Sequence, residues 1–314
     1  ERDALGNTVT RLYSSTNLLL NESRYTTPAT LSAGVWTDPP AANARTKRYA
    51  YDASDRLRYT IDETGTVTEQ RYNTSGLRNQ VIAYTDSAMS VGGLLPTDVL
   101  TEAQLNAWVA ARDKAQSQLT EAVYDYRGNL SKTTTYATVN SAGAGVLDAA
   151  ATVTELVYSE YGQLLQTIAV RGASRTTKTT LSSVAYDGQG RILSQIDASG
   201  TQTYAYNGTN RQITVTNTAG LSTVQTFDTC GRLVSLSAAG SDGYNATTTR
   251  TSQYVYDANG RLTMTQDATG VRAYIFYDEA GRVSARVDGT GAVVEYIYTA
   301  AGQLAQEKRY ANLA

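Results

Sequence analysis

Histidine is absent from the 314-residue chain, and cysteine occurs once, as Cys230. The first absence removes the commonest general base and the commonest metal ligand. The second excludes an internal disulfide and a cysteine-rich zinc site, and leaves the redox compartment open. An excess of charge of either sign is also missing. The formal net charge of −2 gives no electrostatic case for nucleic acid or an anionic membrane. No apolar run approaches the roughly 18 residues of a membrane-spanning helix. The opening "ERDALGNTVT" lacks the features of a signal peptide and reads as the interior of a longer protein. Function is left to architecture or to carboxylates.

Against two Phe and two Trp stand 23 Tyr, and their placement is periodic. Tyr256, Tyr277 and Tyr298 each open a phrase of aromatic, small polar, two variable residues and Gly. Eleven copies start at Tyr13, Tyr51, Tyr72, Tyr124, Tyr158, Tyr186, Tyr206, Phe227, Tyr256, Tyr277 and Tyr298. The second position is always Asp, Asn, Ser or Thr. The fifth is Gly in eight copies and Asn17, Asp55 or Asn210 in the others. Small polar side chains cap a turn by bonding the backbone two residues on. Gly adopts positive φ freely, and Asn and Asp are its usual substitutes. The phrase therefore encodes a type I turn closed by a left-handed residue, a common hairpin connection. This turn role argues against Asp257 and Asp278 as catalytic acids.

A second set of turns alternates with the first: Asp3–Gly6, Asp62–Gly65, Asp197–Gly200, Asp267–Gly270 and Asp288–Gly291, with Asn217–Gly220 as a variant. Turns come about every ten residues, which leaves strands of roughly six. Between them residues alternate. Leu262, Met264 and Gln266 oppose Arg261, Thr263 and Thr265, and Val283, Ala285 and Val287 oppose Arg282, Ser284 and Arg286. Period two with Thr, Val, Tyr and Ile indicates antiparallel strands. The expected fold class is all-β, a long curved antiparallel meander of about 22 strands. At about 4.8 Å per strand it is on the order of 100 Å wide. Open sheets beyond about ten strands curl or split, so a spiral wall is expected, with residues 1–314 as one segment.

Five gaps exceed the basic period, after Tyr13, Tyr72, Tyr124, Tyr158 and Phe227. Each keeps the first turn and enlarges the second, so all five insertions should leave one rim of the ribbon. The longest, at 86–121, is expected to be helical from Thr97 or Thr101 to about Leu119. Thr101 and Gln104 form a capping box after Pro96. Leu105, Trp108, Val109 and Arg112 form a stripe at helical spacing, which suits packing on the sheet.

The phrase Tyr-Asp-x-x-Gly-Arg-aliphatic, as in "YDANGRL", "YDEAGRV", "YDGQGRI" and "FDTCGRL", resembles the YD-repeat or Rhs-repeat family. That family includes bacterial Rhs polymorphic toxins, the B and C shell components of insecticidal toxin complexes, and teneurins. The resemblance covers nearly the whole chain outside the insertions. It implies a spiralling β-sheet that forms a hollow shell, which in bacterial members is secreted or surface-delivered and holds a toxin domain. The implied partners are the remainder of the shell and an enclosed cargo domain. A teneurin-like adhesion or carbohydrate-binding surface is the alternative, with glycans as partners. Leu77 and Arg78 invert the usual order, and Gln212 replaces the aliphatic residue after Arg211. Asp38-Pro39 is the only Asp-Pro, and it does not match the Asp-Pro-x-Gly self-cleavage motif of such shells. No segment resembles a toxin domain.

Candidate site residues are weighed against structural roles. Arg56, Arg191, Arg211, Arg232, Arg261 and Arg282 follow the fifth position. They form a ladder suited to pairing with nearby carboxylates or covering rings, rather than to binding an anion. The tyrosines suit cross-strand packing before sugar stacking. Glycoside hydrolysis needs two carboxylates about 5 to 9.5 Å apart, and Glu63, Glu69, Glu155, Glu160, Glu279 and Glu295 are scattered without a local motif. Cys230 sits in a turn with no activating neighbour. The expectation is no catalytic, metal or cofactor-binding residue, no cofactor and no enzymatic activity.

Overall fold

The computed structural model describes residues 1–3, 5–171, 175–240 and 248–310. The chain divides into two compact units, Glu1–Leu181 and Ser182–Ala314. Both are open antiparallel meanders in which, among the described pairings of long strands, every strand pairs with its neighbours in the order of the chain. The first unit runs through Val9–Tyr13, Leu19–Tyr25, Ala44–Tyr51, Leu57–Ile61, Val67–Tyr72, Arg78–Tyr84, Ser117–Tyr124, Leu130–Tyr136, Thr152–Tyr158 and Leu164–Arg171. The unit boundary falls within the strand Thr177–Tyr186. The second unit continues through Ile192–Asp197, Gly200–Asn207, Gln212–Asn217, Ser222–Phe227, Leu233–Gly240, Thr248–Tyr256, Leu262–Gln266, Arg272–Tyr277, Val283–Val287, Val293–Tyr298 and Leu304–Arg309.

The repeated turn has one chemistry. At Asp257 the carboxylate Oδ1 accepts the N–H of Asn259 and of Arg261, both at 2.9 Å. The Asp257 N–H donates to the Arg261 carbonyl at 2.9 Å, and the Gly260 N–H donates to the Asp257 carbonyl at 3.0 Å. Gly260 has φ +83°, a conformation that costs an L-residue roughly 1–2 kcal/mol. Pairing shifts register between Val255 and Tyr256, the bulge that such a turn imposes. Asn17 and Asp55 take positive φ where Gly is missing. Asn210 does not. There the positive φ falls on Arg211, at 52°, because Asn207 pairs with Gln212 and leaves a four-residue loop. In that loop the Asn207 carboxamide accepts from Asn210 N–H, and Arg211 closes the turn onto the Gly208 carbonyl at 3.3 Å.

The three insertions that are described throughout, after Tyr13, Tyr72 and Tyr124, leave the second-turn rim, as expected. Residues 26–43 hold a small hairpin, Thr30–Ser32 with Val35–Thr37, and 137–151 hold another, Thr138–Val139 with Gly145–Val146. The expected insertion after Phe227 falls largely outside the described residues, and that after Tyr158 in part. The segment 85–116 folds back from the rim onto one face of the sheet. Its helix α1, Glu102–Ala110, starts at the Thr101–Gln104 capping box. It is shorter than the expected 97–119, since residues from Ser117 onward are strand. Ser117–Tyr124 pairs on both sides, with Arg78–Tyr84 and with Leu130–Tyr136. These two ladders outweigh the helical propensity of "KAQSQLTEA".

Leu105 and Val109 are buried on Ala50, Tyr59, Ile61, Val67, Ile82, Tyr84 and Leu119. Trp108 meets Tyr84 edge to face, 6.1 Å between centroids. The approach to the sheet is pinned at Gly65, whose carbonyl accepts the Met89 N–H at 2.8 Å. A Cβ on Gly65 would stand 2.1 Å from the Met89 oxygen, so only glycine fits. Arg48, buried in the sheet, donates to the carbonyls of Leu94, Leu95 and Asp98. Asn21 Nδ2 donates to those of Pro96 and Asp98.

Candidate functional site

The repeated side chains converge on one another. In at least eight copies the tyrosine hydroxyl donates to a strand carbonyl of the preceding copy. Tyr51, Tyr72, Tyr124 and Tyr158 reach Leu19, Leu57, Arg78 and Leu130, at 2.7–3.0 Å. Tyr206, Tyr256, Tyr277 and Tyr298 reach Ile192, Leu233, Leu262 and Val283, at 2.8–2.9 Å. The arginines lock the same step. Nε of Arg56, Arg191, Arg232, Arg261 and Arg282 donates to the turn Asp of its own copy at 2.6–2.9 Å. The same five guanidinium groups lie 4.2–5.0 Å from the ring centroids of Tyr72, Tyr206, Tyr256, Tyr277 and Tyr298 in the next copy. In these five steps a copy thus grips its successor by both a hydroxyl–carbonyl bond and a cation–π contact.

This geometry decides the role of the turn carboxylates. The backbone N–H and the guanidinium of Arg261 hold the Asp257 carboxyl below its usual range, and Arg282 does the same for Asp278 and Arg232 for Asp228. A carboxylate kept ionised as a turn acceptor is not a proton donor. Asn129 replaces arginine in one copy and donates to Asp125 Oδ2 at 3.0 Å. The inverted pair Leu77-Arg78 keeps the hydroxyl ladder intact, since Tyr124 takes the Arg78 carbonyl. Arg211 leaves the ladder. Its Nε donates to the Phe227 carbonyl at 3.0 Å, in the one copy that has no hydroxyl to offer.

Of the scattered glutamates, Glu69 alone is deeply buried. Arg58 NH2 lies 2.6 Å from Oε1 and Arg71 Nε 2.7 Å from it. Arg71 NH2 and the Tyr84 hydroxyl donate to Oε2. Burial pushes the carboxyl up, but the bonds and charges of Arg71, Tyr84 and Arg58 outweigh it and leave the group below its ordinary range. Tyr84 is pushed upward by burial and by Glu69. Arg58 also reaches Glu102 of α1 at 3.7 Å, and the Tyr59 hydroxyl donates to Asn106 Oδ1 at 2.6 Å. Burial, with Glu69 behind it, raises Tyr59 to about 12. No local motif marks this clasp, because its members come from three strands and a helix. Elsewhere Glu155 pairs with Lys178 at 2.6 Å and Glu295 accepts from the Tyr310 hydroxyl at 2.6 Å. Glu63, Glu160 and Glu279 are exposed, and so is Cys230.

Open clefts of about 450 and 460 Å³ lie beside Arg45, Arg48 and Glu63, and beside Arg191, Arg211, Phe227 and Asp228. Each is lined by a single carboxylate, short of the pair that glycoside hydrolysis uses.

The family model for the teneurin YD-shell matches residues 131–307. No curated protein matches the sequence significantly. Among solved structures, a TcdB2–TccC3 crystal structure aligns over 96% of this chain and 18% of its own, at 15% identity and TM-score 0.35. The Tc holotoxin pore of Photorhabdus luminescens aligns over 99% of this chain and 20% of its own, at 13% identity and TM-score 0.43. This chain therefore spans about a fifth of the length of those chains. With repeat grammar, ladder and a family match over more than half its length in agreement, the chain belongs to the teneurin YD-shell family.

Proposed function

We propose that this region is a non-catalytic wall of a bacterial shell, secreted or displayed at the cell surface, that encloses and protects a cargo domain. One observation carries the reading: the groups most suited to chemistry are spent on holding one copy to the next. Eight repeat tyrosine hydroxyls, and five turn carboxylates with their ladder guanidiniums, have partners within the sheet. A surface built to bind glycans or turn over substrate would present such groups to solvent. The natural partners on this reading are the remaining windings of the same shell and the enclosed cargo.

The test uses the complete polypeptide that carries this region. Limited proteolysis should spare a cargo segment while the shell is intact and release it when Tyr277 and Tyr298 are both replaced by Ser. Equal cleavage of the cargo in both proteins would remove the enclosure reading. Saturable glycan binding lost with the same two substitutions would favour the adhesion alternative.

A further inference from the structure

Arg211 is the one ladder arginine that leaves the ring of the next copy bare. In the five regular steps the turn Asp holds Nε of its own arginine, and that guanidinium covers the next tyrosine ring. The copy that opens at Tyr206 has Asn207 in place of that Asp. The Asn207 carboxamide accepts from the Asn210 N–H at 3.0 Å, so no turn carboxylate holds Arg211 in the ladder position. Arg211 Nε turns to the Phe227 carbonyl at 3.0 Å. Among the described residues its two terminal nitrogens have no partner, and no guanidinium covers the Phe227 ring.

The open cleft of about 460 Å³ lies at this step, with Arg191, Tyr206, Arg211, Ile213, Phe227 and Asp228 in its lining. That volume is within the range of small-molecule sites. Its charge is unbalanced. Arg191 is paired with Asp187 at 2.7 Å, and Asp228 with Arg232 at 2.6 Å. The Arg211 guanidinium is left as the unmatched charge of the cleft. An uncovered aromatic ring favours a flat group against its face. In the regular steps that group is a guanidinium, but beside Arg211 a second cation is repelled and an anion attracted. A guanidinium whose terminal nitrogens are free presents a fork that matches a carboxylate. From the bare ring and the unmatched fork, we infer that this cleft binds an aryl carboxylate. Its ring lies on Phe227 and Ile213, and its carboxylate accepts from the terminal nitrogens of Arg211.

The probe is naphthoate, titrated into the whole 314-residue chain and followed by calorimetry. Saturable binding at one site per chain is expected. Arg211→Gln should weaken it at least ~10-fold, the loss expected when a charge-assisted fork is removed. Gln and Arg are both L-residues and meet the same backbone cost at φ 52°, so the loop should keep its conformation. Phe227→Leu keeps an apolar side chain without the flat face, and should weaken binding about 3-fold or more. Circular dichroism and the urea midpoint check that both variants are folded. Arg211→Lys, which keeps the charge and loses the fork, replaces Arg211→Gln if that variant is not. Naphthylmethylamine, with the same ring and the opposite charge, should not bind. Absence of saturable naphthoate binding overturns the inference. So does binding indifferent to either substitution, which would make the ligand adventitious, or equal binding of the amine. Decalin carboxylate, which has the charge but no flat ring, overturns the ligand class if it binds as tightly as naphthoate.

Discussion

Tyr277→Phe isolates one rung of the ladder. The substitution deletes the hydroxyl that donates to the Leu262 carbonyl at 2.9 Å. It keeps the ring beneath Arg261, whose guanidinium lies 4.6 Å from the centroid. Neither the Arg261–Asp257 pair nor the strand pairing is touched. The loss is then one neutral hydrogen bond between part-buried groups, with a net worth of about 0.5–1.5 kcal/mol. Tyr298→Phe removes the next rung, 2.9 Å to Val283. The two bonds share no atom, so the double variant should lose the sum, about 2 kcal/mol, to within about 0.5 kcal/mol. Urea unfolding followed by circular dichroism measures each loss as a shift in midpoint at constant slope. Phe227 shows that one missing hydroxyl is tolerated where Arg211 supplies another donor. If Tyr277→Phe leaves the midpoint unmoved, or if the double variant loses far more than the sum, the rungs are not independent local grips and the ladder argument fails.

Replacing Gly260 (φ +83°) by Val should cost roughly 1–2 kcal/mol, and replacing it by Asn far less. Equal midpoints in urea for the two variants would remove the turn argument. Leu105→Ala in α1 should destabilise the first unit by about 2–5 kcal/mol, because the side chain is fully buried and the sheet beneath cannot close the cavity. A calorimetric scan should show that loss confined to one transition. Glu69→Ala should cost about 3–5 kcal/mol by leaving Arg58 and Arg71 without their carboxylate. Its pH dependence follows from the lowered pKa. The contribution is fully present above the ordinary Glu value of about 4.3 and is lost as pH falls through the folded value. Wild type should therefore lose stability on acidification that Glu69→Ala does not. Parallel pH profiles for the two proteins would refute it.

The local grammar determined much of this molecule. Asp257 and Gly260 fix a turn by their own backbone demands, and alternation from Leu262 to Gln266 fixes a strand, so the meander was legible without tertiary information. The capping box at Thr101 was legible for the same reason, since its partners lie three residues apart. Where the packing partners are remote, sequence fell short. The strand state of Ser117–Tyr124 depends on the two strands that pair with it, and propensity cannot weigh them. Arg211 takes the positive φ expected of Asn210 because the pairing of Asn207 with Gln212 sets the loop length. The arginine ladder showed its period, but only the fold set each guanidinium over the tyrosine of the next copy. Glu69 was one scattered glutamate among six until the sheet brought Arg58, Arg71 and Tyr84 around it. Turns and strands follow from contacts a few residues apart, whereas burial and charge pairing depend on which distant segments the folded sheet brings together.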